Sequence, residues 1–123
     1  MKTVVVIDDE YAIVETLVDV LELNGYTCVT AANGQQGLEV IEQQHPDLVI
    51  TDLMMPVMDG RDLVAKLRSQ QQFETLPIIL ITAAQEAADT TNEDDAHFMY
   101  MRKPFAVSEL LANVRRLTEP AGA

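Results

Sequence analysis

Thr3-Val4-Val5-Val6-Ile7-Asp8-Asp9-Glu10 joins an unbroken apolar run to three acids. A strand with one wet face alternates apolar and polar residues. An unbroken β-branched run is instead the habit of a strand covered on both faces, as in a parallel sheet. This run ends on Asp8-Asp9, so the strand delivers two carboxylates at its carboxyl end.

Outward from there the pattern repeats. From Glu10 to Leu23 the apolar residues Ile13, Val14, Leu17, Val18 and Leu21 fall at helical spacing, and Asn24-Gly25 supplies the stop. Tyr26 to Ala31 reads as a second strand. Asn33 is placed to cap a helix running to about Gln44, with Leu38 and Ile41 inward, and Pro46 closes it. Leu48-Val49-Ile50-Thr51 is the third strand and runs into Asp52. A methionine-rich loop follows, broken by Pro56 and Gly60, then a helix from Arg61 to Gln71 with Leu63, Val64 and Leu67 inward. Pro77 to Ile81 is the fourth strand, reaching Thr82, and His97 to Met101 a shorter fifth. Val107, Leu110, Leu111, Val114 and Leu117 mark a final amphipathic helix, with Ser108 near its start.

The stretch Ala83 to Ala96 holds five acids and no large aliphatic residue. A short or mobile helix is expected there because successive parallel strands need a crossover. Strand and helix thus alternate along the chain. The prediction is a single α/β domain over residues 1–118, a doubly wound parallel sheet with helices on both faces and right-handed crossovers, followed by a disordered tail at 119–123. In such sheets ligands sit beyond the carboxyl ends of the strands, near the point where strand order reverses.

Composition excludes several functions. The chain has 123 residues, 48% hydrophobic and 23% charged, ordinary values for one globular domain. No apolar run approaches a membrane span, and the charged residues that follow Ile7 argue against a secretory signal. The lone Cys28 makes neither an internal disulfide nor a cysteine zinc site, in keeping with a reduced, cytoplasmic setting. Eight Lys and Arg against twenty Asp and Glu leave a net charge of −12. Nucleic acid and anionic membrane are therefore poor partners, and cations or basic protein surfaces better ones. His45 and His97 have no neighbours at metal-ligand spacing and read as surface or strand residues; Cys28 reads as a buried strand residue.

The strand ends carry the chemistry. Strand one ends in Asp8-Asp9, strand three in Asp52 and strand four in Thr82, and strand five is followed by Lys103-Pro104. Taken singly, Asp8 and Asp9 read equally well as caps of the first helix, and Lys103 as a solvated lysine. Brought together, three carboxylates repel and need protons or a cation. All-oxygen ligands favour magnesium, with manganese as the substitute, over zinc. The cluster Met54, Met55 and Met58 reads as packing.

These residues carry a resemblance. Val5-Val6-Ile7-Asp8-Asp9-Glu10, Asp47 through Gly60 with its Asp-x-x-Met-Pro-x-Met-Asp-Gly run, Ile79-Leu80-Ile81-Thr82-Ala83 and Arg102-Lys103-Pro104-Phe105 stand in order at matching spacing. The chain resembles the receiver domain of two-component response regulators from about Lys2 to Leu117. The resemblance implies a flavodoxin-like (βα)5 sheet of strand order 2-1-3-4-5. It implies that Asp52 takes a phosphoryl group from a phosphohistidine on a sensor histidine kinase or phosphotransfer protein. Asp9, Asp52 and the Met54 backbone carbonyl would bind Mg2+, and Asp8 would hold it through water. Lys103 would pair with one phosphoryl oxygen, and Thr82 would donate its hydroxyl to another. The Lys103-Pro104 bond is expected to be cis. Tyr100 stands where the family has its switch aromatic. It would turn into space vacated by Thr82, changing the face formed by the fourth helix, fifth strand and fifth helix.

In this chain Asn92-Glu93-Asp94-Asp95-Ala96-His97 replaces the Gly and small residues usual before the fifth strand. Met54 and Ala84, two residues past Asp52 and Thr82, cannot position an attacking water, so self-dephosphorylation is expected to be slow. The module is expected to modify itself rather than turn over substrate, as a monomer or weak homodimer with an unnamed downstream protein target and no nucleic acid or membrane partner. Alternatives are a receiver cut from a larger regulator or hybrid kinase, and a Mg-dependent phosphatase of similar fold. The phosphatase typically has a second aspartate where this chain has Met54. A flavodoxin-type flavin protein fits poorly, because Asp8-Asp9-Glu10 would repel its phosphate.

Overall fold

A computed structural model describes residues 2–55, 57–83 and 97–119. Its elements are β1 (Thr3–Ile7), α1 (Tyr11–Leu23), β2 (Thr27–Ala31), α2 (Gly34–Gln44), β3 (Leu48–Asp52), α3 (Gly60–Arg68), a 3-10 turn (Gln71–Phe73), β4 (Ile78–Ala83), β5 (Phe98–Lys103) and α4 (Val107–Thr118). The strands form one sheet in the order β2-β1-β3-β4-β5, and every pair is parallel. This is the expected doubly wound sheet.

The continuous apolar runs explain why. Val4, Val5, Val6 and Ile7 are all buried, alternate members entering opposite cores. Val4 and Val6 meet Leu17 and Leu21 of α1 and Leu110 and Val114 of α4. Val5 and Ile7 meet Ile41 of α2 and Leu63 and Leu67 of α3. Burying each such side chain contributes about 1.5–3 kcal/mol, so a slip by one residue would exchange the two cores. Close approach fixes the layers further. A Cβ at Gly37 would run into Ile7 Cδ1, so any larger residue there would have to displace the Ile7 side chain between α2 and β1.

Several boundaries differ from the expected ones. The helix expected from Arg61 to Gln71 starts at Gly60, because the Asp59 carboxylate accepts from Asp62 N at 2.9 Å. It ends at Arg68, and the following 3-10 turn buries Phe73. The strand expected at His97 to Met101 runs from Phe98 to Lys103, since pairing with β4 continues through Thr82↔Arg102 and Ala83↔Lys103. Ala106, without a side-chain bond, is the N-cap of α4, and Ser108 is exposed inside the helix. Glu119 donates its N–H to Arg115 O at 2.9 Å and ends that helix. Ala83 belongs to β4. The remainder of the helix expected up to Ala96, Pro56 and the tail from Pro120 lie outside the described residues. Among the described residues no helix is long and apolar enough to cross a membrane.

Candidate functional site

Strand order reverses at β1 and β3, and the site lies off their carboxyl ends. Ile7 pairs with Thr51, so the next residues, Asp8 and Asp52, are neighbours. Asp8, Asp9 and Asp52 each offer a carboxylate oxygen, all within 4.8 Å of one another. Asp8 and Asp52 are buried and Asp9 is exposed. The alternative role as helix caps fails. Glu10 is the N-cap of α1 without a side-chain bond, and Asp8 Oδ1 accepts from Glu10 N at 2.9 Å, one residue short of the helix.

Burial, with a smaller contribution from neighbouring charge, sets the proton affinities. Burial pushes the Asp8 carboxyl up to about 6, the Glu10 N–H opposes this, and the Asp52 charge adds to it. Burial also raises Asp52; the Lys103 ammonium partly offsets this and the Asp9 charge reinforces it. Lys103 Nζ lies 3.4 Å from Asp52 Oδ1. Lys103 therefore faces the acids rather than solvent alone, and its bond to Pro104 is cis, as expected. A cleft lined by Asp8, Asp9, Tyr11 and Gln36 opens beside the acids.

The other expected residues converge to different degrees. Thr82 is buried, one residue beyond Ile81, which pairs with Asp52. Tyr100 pairs with Leu80 and Thr82 with Arg102, so Tyr100 and Thr82 share a sheet face. The Tyr100 ring meets Phe98 edge-on at 4.9 Å in a groove walled by Arg61, Val64 and Arg68 of α3. Met55 and Met58 pack into the core as expected, but Met54 is 62% exposed, which corrects its reading as packing. Cys28 is half-buried rather than buried, and its thiol is pushed up to about 11, mainly by burial. His45 and His97 are exposed; His45 ends α2 with its ring 5.7 Å from Phe73.

Sequence reasoning treated Gly60 as a loop breaker alone. A Cβ there would sit 2.6 Å from the Asp52 carbonyl oxygen and 2.5 Å from Leu80 Cδ1. Gly60 N also donates to Leu53 O at 2.8 Å, clipping the loop onto the end of β3. Asp59, the cap of α3, was likewise missed. Its signal was Asp59-Gly60 followed by Asp62, an N-cap pattern ahead of the Leu63–Leu67 apolar pair.

The three acids could hold a cation or accept an electrophile, and Lys103 could neutralise a second anion. Residues 4–115 match the response regulator receiver domain family. Response regulator MprA of Mycobacterium ulcerans is 39% identical over 93% of this chain and 49% of its own length. The alkaline phosphatase synthesis transcriptional regulatory protein PhoP of Bacillus subtilis is 36% identical over 94% of this chain and 48% of its own length. The chain thus spans about half the length of these curated relatives. The structure of response regulator TrrA from Thermotoga maritima, in complex with Mg2+ and BeF, superposes with a TM-score of 0.83 and 32% identity, covering 95% of this chain and 99% of TrrA. With the sheet order, the acid cluster and these matches in agreement, the chain belongs to the response regulator receiver domain family of two-component systems.

Proposed function

We propose that Asp52 accepts a phosphoryl group from a phosphohistidine on a sensor histidine kinase or phosphotransfer protein. The observation that carries this reading is the trio of carboxylates within 4.8 Å of one another, faced by Lys103 at 3.4 Å from Asp52. One Asp52 oxygen attacks phosphorus and the P–N bond to the donor imidazole breaks. The electron pair stays on the imidazole nitrogen, and an acyl phosphate remains on the protein. Lys103 moves from the Asp52 carboxylate to a phosphoryl oxygen as a compact positive charge, and the Thr82 hydroxyl donates to another.

The donor set fits a hard divalent ion: carboxylate oxygens without His or Cys, all within 4.8 Å of one another, with Asp8 holding its proton to about 6 mainly through burial and secondarily through the Asp52 charge. Asp8, Asp9, Asp52 and the Met54 carbonyl would hold Mg2+, or Mn2+ in its place. When bound, the ion supplies charge that offsets carboxylate and phosphoryl repulsion.

The modification adds negative charge and acceptor oxygens beside Thr82. Tyr100, on the same sheet face, answers by turning inward, and the surface of β5 and α4 changes its affinity for a downstream protein. The protein acts as a self-modifying signalling module in the cytoplasm, as a monomer or weak homodimer, without contacting nucleic acid itself. The half-length match to its relatives favours a second reading, a receiver that works joined to a further domain. The exposed Met54 thioether offers an attacking water no strong hydrogen bond, so the phosphorylated form should last minutes or longer in Mg2+ buffer; decay within seconds would contradict this.

The test is incubation with acetyl phosphate and Mg2+, followed by intact mass. The reading expects one phosphoryl adduct, absent in Asp52→Asn. No adduct, or one that survives in Asp52→Asn, overturns it.

A further inference from the structure

β2 and β5 are the two edges of the sheet, and the chain treats them differently. An open edge presents unpaired N–H and C=O groups to any extended chain, and charged side chains, proline or a bulge are the usual protection. β5 ends in Arg102-Lys103. β2, Thr27-Cys28-Val29-Thr30-Ala31, holds no charge and no proline, and its register with β1 runs without a bulge. Thr27 N donates to Lys2 O and Ala31 O accepts from Asp8 N, so Thr27, Val29 and Ala31 turn their backbone toward β1. Cys28 and Thr30 therefore turn theirs outward. Among the described residues no strand lies beyond them. To either side the edge is closed: Tyr26 N donates to Leu21 O, and Ala32 N to Gln36 Oε1 at 3.1 Å. What stays open is room for about four backbone hydrogen bonds, from the N–H and C=O of Cys28 and Thr30.

Charge says what this edge fits. α1 and α2 pack on β2 from opposite faces, and both helices carry acids and no Lys or Arg. Glu15, Asp19 and Glu22 are exposed on α1, and Glu39 and Glu42 on α2. The Glu22 charge is close enough to help raise the Cys28 thiol. Lys2 is the chain's only Lys or Arg before Arg61. At its carboxyl end β2 opens into the cleft where Asp9, Tyr11 and Gln36 stand beside Thr30. A second copy adding its own β2 would bring two such acidic flanks together, which like charge opposes. We propose that β2 is a docking edge for an extended, basic segment of a partner protein. The segment adds as a further strand and pairs its backbone with Cys28 and Thr30. Its Lys or Arg side chains meet the acids of α1 and α2, and one of them enters the cleft over Asp9. Backbone bonds set the register and charge sets the selectivity. The surface lies on the opposite edge from β5 and does not depend on the role of Asp52.

The experiment follows the amides of the full chain by NMR with two probes, a hexapeptide alternating lysine and valine and its glutamate–valine counterpart. The lysine peptide is expected to shift the amides from Cys28 to Ala32 and that of Asp9. It should also slow hydrogen exchange at the Cys28 and Thr30 N–H groups by about fivefold or more. Thr30→Pro removes one of these donors, a change an edge strand tolerates, and should weaken the peptide by about fivefold or more. Thr30→Lys keeps the backbone donor and adds a like charge, and it should weaken the peptide as much even if proline unfolds the strand. Shifts spread over the whole acidic surface without protection at Cys28 and Thr30 would reduce the effect to charge alone and overturn the proposal. Equal binding of the glutamate peptide, or no binding of the lysine peptide at millimolar concentration, also overturns it. So does protection of the same amides that grows with protein concentration alone, which would assign the edge to a second copy.

Discussion

Asp47 and Asp52 bracket β3, and the two ends of the strand treat their acids differently. At the amino end the Asp47 carboxylate accepts from Thr3 N at 2.8 Å, while its own N–H donates to Thr3 O at 2.8 Å. That acid is spent on backbone and ties β3 to β1. At the carboxyl end Asp52 shares a pocket with Asp8 and Asp9, and burial raises the proton affinity of both Asp52 and Asp8. Those acids weaken the fold they stand in. The same residue type on one strand thus stabilises at one end and at the other stores electrostatic strain that a bound cation can relieve.

The comparison breaks most visibly at Asp52. Asp52→Asn should lower phosphoryl uptake by about a hundredfold or more, read as adduct mass against time, because it removes the proposed nucleophile. Next comes Asp8. Its native carboxyl keeps a proton to about 6, whereas the unfolded chain releases it near the ordinary 3.8. Between these values the native state binds more protons, so its stability falls as pH rises through that window. The deficit is complete above it, at about 3 kcal/mol. Asp8→Asn should therefore stabilise the protein by up to about 3 kcal/mol in urea melts at pH 7 with EDTA, with almost no gain at pH 4. A pH-independent gain would place the strain elsewhere.

Lys103→Ala should slow uptake about tenfold or more while sparing Mg2+ affinity, since its ammonium lies 3.4 Å from the Asp52 Oδ1 proposed to accept the phosphoryl group. Weakened metal binding with normal uptake would reverse the assigned roles. The smallest effect belongs to the other end of the strand. Asp47→Ala should cost about 1–2 kcal/mol of stability by orphaning Thr3 N and leave phosphoryl uptake unchanged. A change in uptake would mean that the two ends are coupled.

Much of this arrangement was legible in the residues. The unbroken runs of β1, β3 and β4 announce strands buried on both faces, and each brings a polar residue to its carboxyl end: Asp8 just past β1, Asp52 last in β3 and Thr82 next to last in β4. Asn33 capped α2 where its side chain implied, accepting from Gln36 N at 2.9 Å. Boundaries went astray where tertiary contacts rather than local pattern decide. Arg102 and Lys103 carry no hydropathy signal for a strand, yet register with β4 draws them into β5. The helix expected as far as Gln71 stops at Arg68, where the chain turns to bury Phe73. Convergence of Asp8, Asp9 and Asp52 followed from topology alone, but its electrostatic consequence depends on burial, which no spacing encodes. Asp47 and Gly60 were hidden for the same reason: their partners, Thr3 and the Asp52 carbonyl, are set by how the strands stack.

The most direct test of the central claim, that the acids off the carboxyl ends of β1 and β3 form one cation site, is a Mn2+ titration read by amide NMR. The account predicts broadening confined to the amides around Asp8-Asp9, Asp52 to Met54 and Lys103, abolished in Asp9→Asn and absent near Asp47. Broadening spread evenly over the acidic surface, or centred on Asp47, would contradict it.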